Sequence, residues 1–468
     1  MGIVLKGGTI VTAADVYQAG VRIEGESIVA IGYEIEQPGD QVINVDGCFL
    51  FPGGIDPHTH FDLPVGDMST SDDFSSGTKA ALMGGTTTIL DYATQFKGET
   101  LKKGLQNWHL KADGKSFVDY GFHMAITNWN DQLVHEMKDI VQKEGVPSFK
   151  FYMAYKNIMQ VDDSALLQAL RQAGECGALV CVHCENGDVV ENLVQKERIQ
   201  GHTAPLYHPL TRPPEAEAEA TYRVITLAQI ADAPLYIVHL TCSGALQAVT
   251  NAKLNGLEVY AETCPQYLLL DDSNYSADGF NGAKYVISPP LRPIQHQEVL
   301  WSGLRTGVLD TIATDHCAFN YQGQKDLGLH DFSKIPSGAP GVETRMGLLY
   351  TYGVITGKLS LNQFVALTST NAAKLFGLYP RKGTLAPGSD ADIVVWDPRV
   401  SSVVTVQTLH QQVDYTPFEG YKQIGQATHV FIRGTQVVQN TKLRVQQPTG
   451  IYLSRKPFLK RKVGGNDV

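Results

Sequence analysis

The sequence predicts an α/β fold: a (β/α)8 TIM-like barrel carrying a small β-sandwich domain built from both chain termini. Three observations predict it. Between Pro52 and about Leu378, short apolar runs alternate with helix-length segments, the pattern of a parallel barrel. Strand–turn–strand patterns occupy the two ends of the chain, outside that region. Residues with metal-binding chemistry stand at or just past the ends of apolar runs: His58 and His60 after "CFLFPGGID", Lys150 in "VPSFKFY", His183 after "ALVCV", His239 after "APLYIV" and Asp315 after "DTIAT". Side chains at the carboxyl ends of barrel strands converge on one face.

In chain order, residues 1–51 open the β-sandwich with a hairpin-like segment, Ile3–Val11. Val21–Ile31 follows, whose alternation around Gly25 reads as strand, turn, strand. Residues 52–378 form the barrel. Its strands are the segment leading to His58, Thr86–Tyr92, Tyr120–Ile126, the runs ending at Lys150, His183 and His239, Leu257–Glu262 and Asp310–Asp315. Helices fit between them: Ser164–Ala173 places Leu166, Leu167, Leu170 and Ala173 on one stripe, and Leu361–Leu375 closes the barrel with a similar apolar face. Residues 379–440 complete the sandwich, with a turn and strand over Leu385–Trp396 and a hairpin at Val430–Val438, so that its core lies sheet against sheet. Residues 441–468 read as a tail too polar and too long to belong to the barrel. Its basic stretch, Arg455–Lys462, is expected as a solvated tail or an arm on a neighbouring subunit. Loop-rich stretches at Leu63–Asp73, Tyr155–Val161 and Asn320–Val342 are candidates for lids.

The chain has 468 residues, enough for a barrel and one smaller domain, and 43% of them are hydrophobic. A formal net charge of -10 argues against nucleic acid as a partner, because phosphate neutralisation requires a basic surface. No run of roughly 18 apolar residues occurs and no leader pattern precedes the first strand, so a cytoplasmic protein without membrane contact is expected. The seven cysteines are odd in number and lie mostly in apolar runs, as reduced, buried thiols do.

His58 and His60 alternate, so on an extended segment both imidazoles point to one face. His183 or His239 alone would read as a hydrogen-bonded structural histidine. Four histidines at one level of a barrel read as metal ligands. An ionised Asp315 at the same level is expensive without a cation beside it; ligation removes that cost and leaves an oxygen able to exchange a proton. His316 points the other way and is expected to be a hydrogen-bonded neighbour. Lys150, between two phenylalanines, cannot ligate metal as an ammonium ion, whereas carbamylation would make it a bridging anion. The CxxC at Cys181–Cys184 lacks the helix N-terminus that activates redox pairs. The run Glu215–Glu219 reads as the acidic first turn of a helix.

Many segments together resemble the dihydropyrimidinase and D-hydantoinase group of the amidohydrolase superfamily: "FPGGIDPHTHFD", "GGTTTILDYA", "SFKFYMAYKN", "VHCENGD", "TAPLYHPLTRPPEAEAEA", "APLYIVHLT", "ETCPQYLLLD", "SPPLR", "IATDHCAF", "GAPGVETRM" and "LAPGSDADIVVWDP". The resemblance spans nearly the whole chain. It implies two divalent metal ions, zinc first, with manganese or cobalt able to replace it. It implies N6-carboxylysine at Lys150 bridging both, with His58, His60 and Asp315 on one metal and His183 and His239 on the other. It implies that Tyr155 hydrogen-bonds the substrate carbonyl and that backbone groups around Ser288 and Ser337 hold the ring amide. Ser337 stands where many relatives carry asparagine. The loops near Leu63–Val65 and Met153–Ile158 would line the pocket for the ring substituent. Homotetramers are common in the group.

The expected reaction is hydrolysis of the cyclic amide of a dihydropyrimidine or 5-substituted hydantoin to an N-carbamoyl amino acid. A hydroxide shared by two cations about 3.5–4 Å apart would attack, with Asp315 moving the proton to the leaving nitrogen. Allantoinase or another cyclic amidase is the alternative. Dihydroorotase is disfavoured because Phe61 and Asp62, not an arginine, follow the HxH pair. A non-catalytic scaffold like the collapsin-response mediator proteins is disfavoured because all six ligand residues are present.

Overall fold

The computed structural model describes residues 2–459. Eight parallel strands form one sheet in sequential order: β1 (Gly54–Thr59), β2 (Thr86–Gln95), β3 (Asp119–Ile126), β4 (Ser148–Tyr152), β5 (Leu179–His183), β6 (Leu235–Ile237), β7 (Val259–Thr263) and β8 (Thr311–Ile312). Every residue of these strands is buried, as expected of strands covered on both faces. The seam between β8 and β1 is closed just beyond the ladder, where His60 N–H donates to the His316 carbonyl at 2.8 Å. The fully buried Arg345 straddles that seam, donating from one Nη1 to Ile55 O at 2.8 Å and to Ile312 O at 2.9 Å. The Pro-Gly-Gly entry to β1 is sterically required at Gly53, where a Cβ would fall 2.0 Å from Thr87 Oγ1.

Helices fill the connections. The predicted Ser164–Ala173 helix extends over Asp163–Cys176, with Asp162 accepting from Ala165 N–H at its start and Gly177 in the left-handed conformation at its end. Its buried face is Ala165, Leu166, Ala169, Leu170 and Ala173; Leu167 lies at its edge. Leu361–Leu375 is helical throughout, widened to a π-turn over Ala366–Thr370. Pro214–Ala231 starts with acidic residues as expected, but Glu217 is buried, accepting from Thr241 N–H at 2.8 Å and from Arg292 Nη2 at 2.8 Å.

The terminal segments build a separate β-domain. One sheet has four strands in the order Ser27–Gly32, Gly20–Glu24, Ile3–Lys6, Gln41–Asn44. The other has seven and joins Thr9–Val11 and Phe49–Pro52 from the amino-terminal side to Ile393–Val403, Lys422–Ile432 and Thr435–Gln439. Leu5, Val21, Ile28, Leu50, Ile393, Val395 and Phe431 make the core between them. Ile3–Val11 is not a hairpin: Ile3–Lys6 and Thr9–Val11 belong to different sheets. The Gly7-Gly8 pair carries the chain from one sheet to the other, which local pattern cannot distinguish from a turn.

The tail corrects a second expectation. Instead of leaving the barrel, 451–458 lies across its amino-terminal end: Leu453 N–H donates to Tyr120 O at 2.7 Å, Arg455 N–H to Gly145 O at 2.9 Å and Phe458 N–H to Gly177 O at 2.8 Å. Arg455 is buried, donating to Ser148 Oγ at 2.7 Å and to the Phe122 carbonyl. Its guanidinium faces barrel backbone and the Ser148 hydroxyl and not solvent. The rest of the basic stretch, from Lys460 onward, lies outside the described residues. Among the described residues no helix is long and apolar enough to cross a membrane, and all seven cysteines are free thiols.

Candidate metal centre

At the carboxyl end of the barrel the strands deliver the predicted side chains to one place. His58 is the fifth residue of β1 and His60 the first beyond it; Lys150 is central in β4 and His183 is last in β5. His239 and Asp315 follow β6 and β8 by two and three residues. Both adopt positive φ, +36° and +51°, as does Tyr155 at +64°. Conformations of that kind cost about 1–3 kcal/mol each in non-glycine residues and persist where surrounding structure imposes them.

The side chains meet through their lone-pair atoms. His58 Nε2 and His60 Nε2 are 3.2 Å apart, and each is 3.1 Å from Asp315 Oδ1. His183 Nδ1 and His239 Nε2 are 3.0 Å apart, and the His58 and His239 rings stand 5.4 Å centre to centre. Lys150 is buried, its Nζ over the rings of Tyr92 at 4.8 Å and Tyr152 at 5.2 Å. His58, His60 and Asp315 thus form a group able to hold a metal ion, with His183 and His239 as an adjoining pair of nitrogens.

Carboxylates behind the imidazoles fix which nitrogen faces inward. His58 Nδ1 bonds Glu262, whose carboxylate also accepts from His239 N–H at 3.1 Å and Tyr236 O–H at 2.7 Å. His183 Nε2 bonds Glu185 at 2.8 Å, and Glu185 is held by Arg212 at 2.9 Å. Each carboxylate takes the outer N–H and leaves a lone pair on the inner nitrogen, the arrangement that orients histidine ligands.

Electrostatics agree with this geometry at Asp315 and three of the imidazoles, while burial and Lys150 are outweighed at His58, which Glu262 and Asp315 raise. Burial pushes the Asp315 carboxyl up, but the surrounding imidazoles of His58, His60 and His239 outweigh it and hold the carboxyl well below the usual range. Burial drives His60 down to about 4 and also lowers His183 and His239, so their nitrogens are neutral lone-pair donors. Burial also lowers Lys150, against the pull of Asp315 and Glu262. The Nδ1 atoms of His60 and His239 and the Tyr92 hydroxyl are buried without a hydrogen-bond partner among the described residues.

Tyr155 packs beside the centre, its ring 5.1 Å from that of His183 and under the Arg212 guanidinium at 5.6 Å. Burial raises its phenol, against the lowering influence of Arg212 and Ser288. Ser288 Oγ in turn donates to Ser337 Oγ at 3.1 Å. The structure therefore brings His58, His60 and Asp315 together, with His183 and His239 adjoining and Lys150 and Tyr155 packed beside aromatic rings there, and it pairs Ser288 with Ser337. His316 is the neighbour expected, bonded to Asp72 at 3.0 Å and accepting from the Gly341 and Val342 amides.

Sequence reasoning missed Glu262, Glu185 and Arg212 as partners of the site. The signal was available for the first two: Glu262 ends an apolar strand at the level of His239, and Glu185 follows His183 by two residues. Arg212 comes from a loop and carries no such mark.

A parallel barrel with a buried imidazole–carboxylate cluster at its carboxyl end defines a metallohydrolase-type architecture. The amidohydrolase family model matches residues 49–437, and the chain belongs to that family. It is 49% identical over 454 residues to a D-hydantoinase of Geobacillus stearothermophilus, covering 97% of this chain and 96% of that one. A solved dihydropyrimidinase from Brevibacillus agri NCHU1002 is similar at 50% identity and a TM-score of 0.97, covering 98% of this chain and all of that one. A D-hydantoinase from a Bacillus sp. AR9 is similar at 52% identity and the same TM-score over 98% of this chain.

Proposed function

We propose that the chain hydrolyses the ring amide of dihydropyrimidines or 5-substituted hydantoins, releasing N-carbamoyl amino acids. The observation that carries the reading is the meeting of His58, His60 and Asp315 at 3.1–3.2 Å, with His183, His239 and Lys150 adjoining. The names and high identity of the relatives support the substrate class.

The donor set fits two divalent ions. His58, His60 and Asp315 would hold one, His183 and His239 the other, and Lys150 as N6-carboxylysine would bridge them. Burial of Lys150 favours its free amine, the form that adds carbon dioxide, and the carbamate would replace a costly buried ammonium with an anion facing cations. Imidazole-rich ligation favours zinc, with manganese or cobalt fitting the same positions. When bound, the ions supply Lewis acidity and a water acidified to near neutrality.

The residues of the chain supply the rest. Asp315, kept ionised by its histidine neighbours, takes the proton of the attacking water and passes it to the ring nitrogen as the C–N bond breaks. The carbonyl carbon becomes a carboxylate and the nitrogen stays in the carbamoyl group. Tyr155, kept protonated by burial, donates its O–H to the carbonyl oxygen as charge develops there. Ser288 and Ser337 hold the ring amide. The unpaired thiols, six of them buried and Cys176 half-buried, fit a cytoplasmic enzyme, and a homotetramer is the assembly expected from the resemblance.

Turnover of dihydrouracil, hydantoin, aryl-substituted hydantoins, allantoin and dihydroorotate by metal-replete protein tests this, with Lys150→Ala as control. Ring opening of the first three that vanishes in Lys150→Ala is the expected result. Preferential turnover of allantoin would move the assignment to allantoinase.

A further inference from the structure

Lys325 sits in the long stretch after β8, at the start of a short 3-10 turn, Lys325–Gly328. Its side chain is completely buried. Among the described residues it has no carboxylate at ion-pair distance; Nζ donates instead to the carbonyls of Val286 at 3.0 Å and Pro336 at 2.9 Å. Burial pushes this ammonium down to about 7. A buried cation without a counter-charge is expensive, and an apolar side chain would fill the same space without that cost. Something in the position needs the donors.

The two carbonyls belong to two separate segments. Val286 lies two residues before Ser288, and Pro336 immediately precedes Ser337, whose hydroxyls meet at 3.1 Å. Gly338 N–H also donates to Val286 O at 3.0 Å. Gly338 has φ +151°, and a Cβ there would fall 2.1 Å from the Cys317 carbonyl. The second segment is therefore pressed against the chain that leaves Asp315. On the first segment, Ile287 O accepts from His208 Nε2 at 2.7 Å and Pro289 O from the Tyr267 hydroxyl at 2.8 Å. The carbonyls on both sides of Ser288 are anchored by buried side chains, and Lys325 alone among those anchors reaches both segments.

We infer that Lys325 is a positioning residue that sets the spacing of Ser288 and Ser337 and thereby the enzyme's affinity for its cyclic amide. The inference rests on the proposal that these serines hold the ring. A lysine nitrogen on its flexible stem has three N–H donors as the ammonium and two as the amine, so in either form it can clamp two carbonyls at once. It touches none of the residues proposed to hold metal or move protons. Loss of the clamp therefore weakens binding that ground state and transition state share, which raises KM and leaves kcat in place.

The test is Lys325→Met, which keeps the volume and removes the donors, compared with Lys325→Gln, which keeps an N–H donor. Steady-state kinetics on hydantoin and dihydrouracil are read alongside metal content and circular dichroism. The expected result is a KM at least about tenfold higher in Lys325→Met with kcat within about threefold, metal content unchanged, and partial rescue of KM in Lys325→Gln. An unchanged KM, or a fall in kcat accompanied by metal loss, overturns the inference.

Hydrogen exchange keeps the claim testable if Lys325→Met does not fold. In the ligand-free wild type, 286–291 and 336–339 should be protected together, and Lys325→Gln should loosen both at once. Fast exchange of the two segments in the wild type, or loosening of one without the other, overturns it. Absence of cyclic-amide turnover by the wild type would instead overturn the functional proposal, leaving hydrogen exchange to judge the clamp.

Discussion

The two ends of the barrel both bury clusters of acidic and basic groups, and they differ in where the positive charge comes from. At the amino end, Asp119, Asp390 and Asp392 bring carboxylate oxygens close enough to hold an ion. The chain fills that role itself: Lys382 Nζ lies 2.5, 3.0 and 2.7 Å from the three carboxylates, and Arg433 also bonds Asp119. Burial works against the Lys382 ammonium, and the three aspartates overcome it and raise its pKa. At the carboxyl end, two imidazole nitrogens and the Asp315 oxygen converge with no lysine or arginine between them. The lesson is that clustered ligand atoms alone do not mark a metal site. A cluster whose chain supplies the counter-charge is structural, and one whose lone pairs face each other calls for a cation from outside.

The sharpest way to break the comparison is to remove one charged group from each end. Lys150→Ala should lower kcat/KM for hydantoin on the order of 10³-fold or more, with loss of bound metal measured by elemental analysis. Lys382→Met at the other end should leave kcat/KM and metal content of the folded fraction unchanged while costing about 3–5 kcal/mol of stability, read from denaturant unfolding. If Lys382→Met also released metal, the two ends would not be independent.

Subtler changes sharpen it. Glu262→Gln should weaken metal binding by about 10- to 100-fold in competition with a chelator, because the carboxylate that orients His58 is lost while every proposed ligand remains. Lys325 provides a pH signature. The unfolded chain keeps this lysine protonated up to its ordinary pKa near 10.5, whereas the folded protein sheds the proton near 7. Between those values the unfolded state binds more protons, so this group makes stability rise with pH, by up to about 1.4 kcal/mol per pH unit. Thermal midpoints of wild type minus Lys325→Met should accordingly climb from pH 7 to pH 9.5. A flat difference would mean that the folded protein holds the Lys325 proton as tightly as the unfolded chain does, contradicting the downward push of burial.

What the sequence revealed follows from the same physics. His58, His183, His239 and Asp315 were legible because each stands where an apolar run stops, and in a parallel barrel those stops share one face. The helix over Asp163–Cys176 was legible from its stripe of leucines and alanines. The Ile3–Val11 segment was misread because alternation within a strand does not say which of two sheets it joins. The tail was misread because Arg455 is buried through hydrogen bonds to backbone and hydroxyl oxygens, partners that leave no charge pattern in the sequence. Lys325 was invisible for the same reason, since both of its acceptors are main-chain carbonyls.

The most direct test of the account is an anomalous difference map, recorded at the zinc edge from crystals of zinc-replete protein. The account predicts two peaks at the carboxyl end, among His58, His60, Lys150, His183, His239 and Asp315, and none among Asp119, Asp390 and Asp392. A peak beside Lys382, or density for fewer than two ions at the histidine cluster, would contradict it.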